Sequence, residues 1–350
     1  MSKSLSEAAA SGPDADRQLD ELRRANITLQ RQLAKAKAKV DDLVHATVQA
    51  CRVATLSMGP VPPVPAPKRA QGALGAEVAL LDTGDWQYGK ETTSYNSDVA
   101  EQRVMQFIEK ALKLTSLHRK GRPVDDCVLI MGGDMVEGVS FQFPGQPFEI
   151  DSTLFDQYTR VSRLIVRIIR TLLADFHHVT VVAEWGNHGR LGSKRDAVPR
   201  SDNLDRMAFQ TARMILEDEP RLTWSDSPED VQRLVIGNYR AVVLHGDEVG
   251  RNGFASPSTL MQHMNRWKSG AYRVDGEPWP FRDAYIHHFH THNEWALADG
   301  EGVLYQTGST ESDNRYAGIG MASAALPSQR LHFIDPDAGV VTAQYKIRLS

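Results

Sequence analysis

The chain has 350 residues, of which 41% are hydrophobic and 24% are charged, and its formal net charge is -4. This is an ordinary globular composition, and the charge argues against a uniformly basic surface for nucleic acid. The two cysteines, Cys51 and Cys127, form no CxxC pair, and no apolar run is long enough to span a membrane. We therefore expect a soluble protein of the reducing cytoplasm.

Three segments precede the first predicted strand. Residues 1–15 are small and polar, which predicts disorder. Residues 16–57 carry apolar residues at heptad spacing, with Asn26 at one seam position, and predict a coiled-coil helix that would form a homodimer. A single amphipathic helix folded against its own domain is the alternative. Residues 58–72 are rich in proline and predict a semi-rigid polyproline II linker.

Residues 73–350 alternate short β-rich runs with helical stretches and form the predicted catalytic domain. The clearest helices are predicted at 98–118, 153–176 and 202–217. Strands follow at closer spacing, near 284–289, 295–298, 303–307, 330–334 and 340–347. Alternating units followed by hairpins predict an α/β fold in which stacked mixed sheets carry helices on their outer faces.

Five of the β-runs end in residue types that bind metal ions. These residues are Asp85 and Gln87, Asp134, Asn187 and His188, His245, and the pair His290 and His292. Strand ends gather along one edge of a mixed sheet, so clusters distant in sequence can converge there. Carboxylate, amide and imidazole ligands suit divalent ions such as Mn, Fe or Zn. One shared carboxylate can hold two such ions about 3.5–4 Å apart and activate a water between them as hydroxide.

In this order the clusters resemble those of the calcineurin-like metallophosphoesterases, over about residues 77–309 of the chain. The segment YQTGST also resembles the strand and Gly-Ser turn that follow the family's His-x-His motif. The resemblance implies a four-layer αββα sandwich of two mixed sheets that hydrolyses phosphate esters at a two-metal centre. Manganese is the expected ion, with iron, zinc or magnesium as alternatives.

The resemblance also implies a role for each motif residue. Asp134 would bridge the two ions, and His188 would stand beside the leaving group as general acid. The first ion would bind Asp85 and His292, and the second would bind Asn187, His245 and His290. Gln87 replaces the family's usual histidine, so the first position is expected to be looser. Glu137 is expected to be structural or to support the ligands from behind, and compensation for Gln87 is the alternative.

The HHFHTH segment leaves the histidine register open. His288 and His290 also form an H-x-H pair, and Phe289 stands where glycine usually precedes the family's pair. We prefer His290 and His292 because Thr291 and the loop after it match the family better. A damaged centre that only binds metal is the alternative to a working one.

Two segments rich in basic residues flank the motifs and bear on the substrate. Arg190, Lys194 and Arg195 follow His188, and a later segment combines basic residues with aromatic ones. Cations beside aromatic rings suit a nucleic-acid strand, whereas solvated loops with packed aromatics are the alternative. We expect a nuclease related to the DNA-repair exonucleases, and GGDMVEG and GNHGR also resemble bacteriophage members. A small-nucleotide phosphodiesterase, a phosphoprotein phosphatase and a coiled-coil assembly protein remain alternatives.

Overall fold

The computed structural model describes residues 61–69, 75–139, 146–191, 200–225, 227–249, 255–312 and 326–349. The predicted disordered segment and coiled-coil helix lie outside these ranges, as do Lys194 and Arg195. The proposed domain boundaries and the dimer therefore stay predictions. None of the helices within the described ranges is both long enough and apolar enough to cross a membrane.

Thirteen strands and four α-helices make up the described part of the chain. The strands are β1 (Val78–Thr83), β2 (Asp126–Met131), β3 (His178–Ala183), β4 (Leu222–Ser225), β5 (Gln232–Ile236), β6 (Tyr239–Leu244), β7 (Arg273–Val274), β8 (Glu277–Pro278), β9 (Asp283–Ile286), β10 (Asn293–Ala296), β11 (Val303–Gln306), β12 (Ser328–Asp335) and β13 (Val340–Arg348). The helices are α1 (Ser97–His118), α2 (Leu154–Asp175), α3 (Leu204–Ile215) and α4 (Pro257–Arg266).

The helices begin where the sequence offers a capping side chain. Asn96, Thr153, Asn203 and Ser256 each precede a helix and accept a hydrogen bond from a backbone N–H of its first turn. Such a side chain satisfies a donor that has no partner inside the helix. The three helices predicted from periodicity are therefore found within about two residues of their expected bounds.

Two mixed sheets form the centre of the molecule. The first has the strand order β13-β12-β1-β2-β3-β4, and its strands β1 to β4 run parallel to one another. The second has the order β10-β11-β9-β6-β5, with β6, β9 and β11 parallel. The carboxyl ends of parallel neighbours lie on one edge of a sheet, so each sheet directs a set of loops to that edge.

The main core lies between the sheets. Val128 and Ile130 of β2 pack there with Tyr239 and Val243 of β6, while the alternate residues of β2 are buried on the opposite face. Side chains alternate between faces along a strand, so a strand buried on both faces becomes a continuous apolar run. The sequence CVLIM in β2 is such a run.

Helices cover the outer faces and complete the predicted four layers. Helix α2 contacts β3, and α1 contacts β13, so both lie against the first sheet. Leu260 and Met264 of α4 pack with Val242 and Ile286 on the outer face of the second sheet. The four-layer sandwich of two mixed sheets is confirmed.

The sequence missed several elements that lack a clear pattern. Strand β4 is a short, half-buried edge strand, and the β7–β8 hairpin has two residues in each arm. Helix α4 buries only Leu260 and Met264, so its apolar stripe is too short to stand out in sequence. Short edge elements bury few side chains and leave a weak periodic signal.

Part of the predicted linker packs on the sandwich. The side chain of Arg170 in α2 donates to the carbonyl of Pro62 at 2.8 Å, and Arg221 donates to the carbonyl of Val64 at 2.7 Å. Val61, Val64 and Pro67 are the half-buried residues of segment 61–69. This spacing of three matches the three residues per turn of a polyproline II helix with one side against the protein.

Candidate metal centre

The ends of five strands bring the predicted polar clusters together. Asp85 follows β1, Asp134 follows β2, and Asn187 follows β3, while His245 directly follows β6. The fifth cluster follows β9 and begins at His287. Because β1 to β3 are parallel, as are β6 and β9, their loops meet at one edge of the sandwich.

The backbone at this edge is unusually strained. Six non-glycine residues in the described ranges have a positive φ, and five of them belong to these loops. The five are Asp85, Gln87, Asp134, His288 and His290, with φ between 47° and 70°. Such conformations cost about 1–3 kcal/mol each and persist where surrounding contacts impose them, often at functional sites.

Asp134 lies at the centre of the site. Its Oδ1 accepts the backbone N–H of His188 at 2.7 Å, and its Oδ2 lies 3.1 Å from His245 Nε2 and 3.2 Å from Gln87 Nε2. The side chain is fully buried. Burial alone would raise the pKa of Asp134, but the nearby imidazoles of His245 and His188 outweigh it and hold the pKa well below its usual range.

One group of donors lies around His245. His245 Nε2 lies 3.1 Å from Asn187 Oδ1, and the ligand atoms of Asp134, His245 and His288 lie within 4.8 Å of one another. His245 Nδ1 lies 2.8 Å from the carbonyl of Gly132 and donates to it. That bond assigns the proton to Nδ1 in the neutral ring and leaves the Nε2 lone pair facing the site.

A second group of donors lies around His290. His290 Nε2 is 3.4 Å from Gln87 Nε2 and 3.8 Å from Asp85 Oδ1. The carboxylate of Asp85 is fully buried and accepts the backbone N–H of His288 at 3.0 Å. Burial, the largest influence, raises the pKa of Asp85, and Asp134 adds to the effect. Asp134 Oδ2 therefore lies within 3.2 Å of a side chain from each group, His245 and Gln87.

The rings of the alternative register, His288 and His290, lie next to the other site residues, and the preferred register of His290 and His292 stays a prediction. The structure places His288 beside Asp134 and His245, and His290 beside Asp85 and Gln87. His292 instead lies near two cations: burial and then Arg330 and Lys346 lower its pKa to about 3. The turn at positive φ after β9 involves His288 and His290, and this turn points both rings into the site.

In the alternative register His287 takes the place where the family has glycine. Its ring is fully buried, and its Nε2 lies 2.9 Å from Asp82 Oδ1. A Cβ on Gly132 would meet the ring at 2.1 Å, and one on Gly84 at 2.6 Å. His287 therefore fills the space beside both loops that two glycines leave open.

His188 faces the site from the loop after β3. Its Nε2 is 3.9 Å from Asp134 Oδ2, while its Nδ1 is 3.3 Å from Glu137 Oε2. Gln146 donates to Glu137 Oε1 at 3.1 Å and holds that carboxylate in place. Burial lowers the pKa of His188, but the charges of Glu137 and Asp134 outweigh burial and raise it to about 9. Glu137 thus supports His188 and does not stand in for the missing histidine at Gln87.

Sequence reasoning missed Asp205, which joins two of the site loops. This fully buried carboxylate in the first turn of α3 accepts backbone N–H groups of Asp134, Met135, Val136 and Gly186 at 2.9–3.3 Å. Burial and the charge of Asp134 raise its pKa to about 6. Its four donors lie 19 to 71 residues earlier in the chain, so no local pattern reveals them.

The residues predicted to bind substrate are only partly described. Arg190 pairs with the buried Asp247 at 2.9 Å, next to His245. Trp267 and Tyr272 are aromatic residues of the later basic segment; their rings lie 5.0 Å apart and pack against the core of the second sheet. Their structural role favours the packed-aromatic alternative for this segment.

The donor set fits divalent metal ions. Two carboxylates, two amides and three imidazoles surround the site, a mixture suited to borderline ions. Gln87 Oε1 is buried and has no hydrogen-bond partner among the described residues, so the amide has an oxygen to offer. Burial lowers the pKa of His245, but Asp134 outweighs it, and the net rise shows how strongly the site attracts positive charge.

The motif order resembles that of the calcineurin-like metallophosphoesterases. No family model matches the chain. A curated relative, the SPbeta prophage-derived uncharacterized protein YonJ of Bacillus subtilis, is 22% identical over 230 residues. That match covers 65% of this chain and 52% of the relative, so the chain spans about half the length of the relative.

Solved structures with similar folds include phosphoesterases. The predicted phosphoesterase of Streptococcus pneumoniae is 12% identical, with 78% of this chain and 99% of that one covered and a TM-score of 0.30. Vps29 of Entamoeba histolytica, complexed with zinc, is 11% identical over 78% and 99% of the two chains, with a TM-score of 0.32. Identities and TM-scores this low assign no role to the site residues, so those roles rest on the geometry of this chain.

Proposed function

We propose that this chain is a metal-dependent phosphoesterase that hydrolyses phosphodiester bonds. The observation that carries the proposal is the convergence of four sequence-distant polar clusters on a fifth, the buried carboxylate of Asp134, at one edge of the sandwich. Backbone strain of this kind tends to cluster at functional sites, and here it occurs in three of the five contributing loops. The five left-handed residues therefore support a catalytic centre.

The geometry divides the proposed ligands into two sets that share Asp134. Asp85, Gln87 and His290 would hold one ion, and Asn187, His245 and His288 would hold the other. Divalent ions in such a pair would bind phosphate oxygens. They would also lower the pKa of a metal-bound water to about 7. Manganese remains the proposed ion, because the set combines carboxylate, amide and imidazole donors.

His188 is the proposed general acid. Its Nδ1 faces Glu137, which leaves Nε2 directed at the site, 3.9 Å from Asp134 Oδ2. With a pKa raised to about 9, the ring carries a proton at neutral pH and can give it to a departing oxygen. Loss of such a group typically lowers the rate by about 10²–10⁴-fold.

Nucleic acid is the proposed substrate. Arg190 sits beside the site, and the basic residues Lys194 and Arg195 follow it in sequence. Phe148 is 90% exposed, two residues from Gln146, which lies 3.4 Å from His188 Nδ1. An exposed ring close to the general acid suits stacking on a base. The prophage relative supports a phage-encoded enzyme that works in the cytoplasm of a bacterial host.

A substrate panel tests this function. The full chain with Mn²⁺ is assayed on bis-p-nitrophenyl phosphate, p-nitrophenyl phosphate, cyclic nucleotides and end-labelled DNA. We expect turnover of the diester and of DNA, lost in His188→Ala. Hydrolysis of the monoester or of cyclic nucleotides without DNA cleavage would contradict the nuclease proposal and indicate a phosphatase or a small-nucleotide phosphodiesterase. If the chain binds metal but hydrolyses none of these substrates, the centre binds metal without catalysis.

A further inference from the structure

Glu311 is a buried acid next to the metal centre that the motif set does not include. It lies after β11 and is 4% exposed, and its Oε1 is 2.5 Å from His290 Nδ1. Its Oε2 is 3.6 Å from the ammonium nitrogen of Lys90, which is 2% exposed. Burying the ionisable side chains of His290, Glu311 and Lys90 carries a desolvation penalty, which their mutual pairing offsets.

The backbone fixes Glu311 relative to the first ligand loop. The hydroxyl of Ser309 donates to the carbonyl of Asp85 at 2.7 Å and accepts the backbone N–H of Glu311 at 2.9 Å. Lys90 belongs to the same loop region, three residues after Gln87, to whose carbonyl its backbone N–H donates at 3.0 Å. These bonds therefore fix the position of the Glu311 carboxylate relative to Asp85, Gln87 and His290.

This arrangement bears on the part of the centre that departs from the family pattern. Gln87 is a neutral amide where the family has an imidazole, so the strong donors beside it are Asp85 and His290. A carboxylate that accepts the outer N–H of a ligating histidine fixes the ring and strengthens its other nitrogen as a ligand. His290 is the histidine on Gln87's side, 3.4 Å from it.

We propose that Glu311 is the positioning residue of the Gln87 side of the metal centre. It fixes His290 with Nδ1–H toward the carboxylate and Nε2 toward Asp85 and Gln87, and so compensates for the amide. Lys90 neutralises the carboxylate in the protein interior and keeps it available as an acceptor. The inference builds on the proposed metal-dependent function and assigns a residue to one half of the site.

Metal binding to the full chain provides the test. Calorimetric titration with Mn²⁺ compares the wild type with Glu311→Gln, and Glu77→Gln is the matched control. Glu77 is also a buried glutamate next to a histidine, His118 at 3.3 Å, but it adjoins β1 at the end opposite the site. We expect Glu311→Gln to weaken one of two binding events by about 10–100-fold and leave the other unchanged.

Selective loss separates positioning from general damage, because a loosened fold would weaken both binding events. Equal affinities in Glu311→Gln and wild type would overturn the inference while the proposed function stands. A wild type that binds no Mn²⁺ would overturn both. If Glu311→Gln does not fold, Glu311→Asp takes its place. The shorter side chain keeps the negative charge but moves the carboxylate away from His290. We expect the same binding event to weaken in that variant, and unchanged affinity there would also refute the role.

Discussion

His188 sits between two buried carboxylates, and these set the pH range in which its ring can donate a proton. The pKa is raised to about 9 because Glu137 and Asp134 outweigh burial. The protonated acid is therefore present below that pKa and is lost as pH rises through it. Activity that depends on His188 should decline on the alkaline side of the pH profile.

Removing one of the two carboxylates should move that decline. In Glu137→Gln the charge nearest His188 Nδ1 disappears, so the pKa of His188 should fall and the alkaline limb of the pH–rate profile should move to lower pH. The measurement is kcat against pH for both proteins with saturating Mn²⁺. An alkaline limb at the same pH in the variant would contradict the dyad of His188 and Glu137.

The histidine register can be decided by a matched pair of substitutions. His288→Ala removes a ring beside Asp134 and His245, whereas His292→Ala removes one beside Arg330 and Lys346. Loss of an outer partner alone costs about 10–100-fold in metal affinity or activity, so loss of the ligand His288 should cost at least as much.

Metal content and diester turnover are measured for both variants. We expect His288→Ala to lose metal and activity and His292→Ala to keep them. The reverse pattern would support the register that the sequence favoured.

At the scale of elements, the first turn of α3 holds the loops after β2 and β3 together through Asp205. An amide has a single acceptor oxygen, so Asp205→Asn should leave some of the four backbone donors without a partner. Each unsatisfied buried donor costs about 1–3 kcal/mol. Chemical denaturation should therefore show a stability loss of about this size, together with reduced turnover.

Asp156→Asn is the control for that substitution. Asp156 also occupies the first turn of a helix, α2, but it is exposed. Its substitution should change both stability and turnover little. A loss in Asp156→Asn as large as in Asp205→Asn would assign the effect to the helix terminus and not to the loops.

The proline-rich segment is a second element with a testable role. Two arginine side chains donate to the carbonyls of Pro62 and Val64. A chain that begins at Gly72 loses these bonds, while one that begins at Met58 keeps them. For two such bonds the difference in unfolding free energy should be about 1–3 kcal/mol. Equal stability of the two chains would show that the packed segment contributes nothing.

At the scale of the whole molecule, the chain from Met58 also tests the predicted coiled coil. It lacks residues 1–57, which include the predicted helix, but keeps the packed proline segment, so a change in oligomeric state would come from the removed segment. Light scattering should give a dimer for the full chain and a monomer for the shortened one. An unchanged oligomeric state would exclude the helix as the element that joins the copies.

The sandwich and most of the centre could be predicted because their signals are local. Buried parallel strands such as β2 are continuous apolar runs, and Asp134 or His245 follows such a run directly. The sequence left His288 as an alternative because three histidines alternate along HHFHTH, and the contacts of each ring become visible only in the folded chain.

Residues that act through distant partners leave no such signal. Asp205 contacts backbone donors 19 to 71 residues away, and Glu311 meets His290 across 21 residues. Each looks like an ordinary surface acid in sequence, and only folding buries it against its partner. Gln87 differs from these two residues because the sequence motif located it. Its place beside His290, which in turn contacts Glu311, is seen only in the structure.

The central claim is that Asp134 and its neighbours form a working two-ion phosphoesterase centre. The most direct test follows hydrolysis of bis-p-nitrophenyl phosphate by metal-stripped wild type and Asp134→Asn, each with and without added Mn²⁺. We predict turnover only in the wild type with Mn²⁺, because Asp134 is the one carboxylate that both donor groups share. Turnover that persists in Asp134→Asn, or that needs no metal, would contradict the claim.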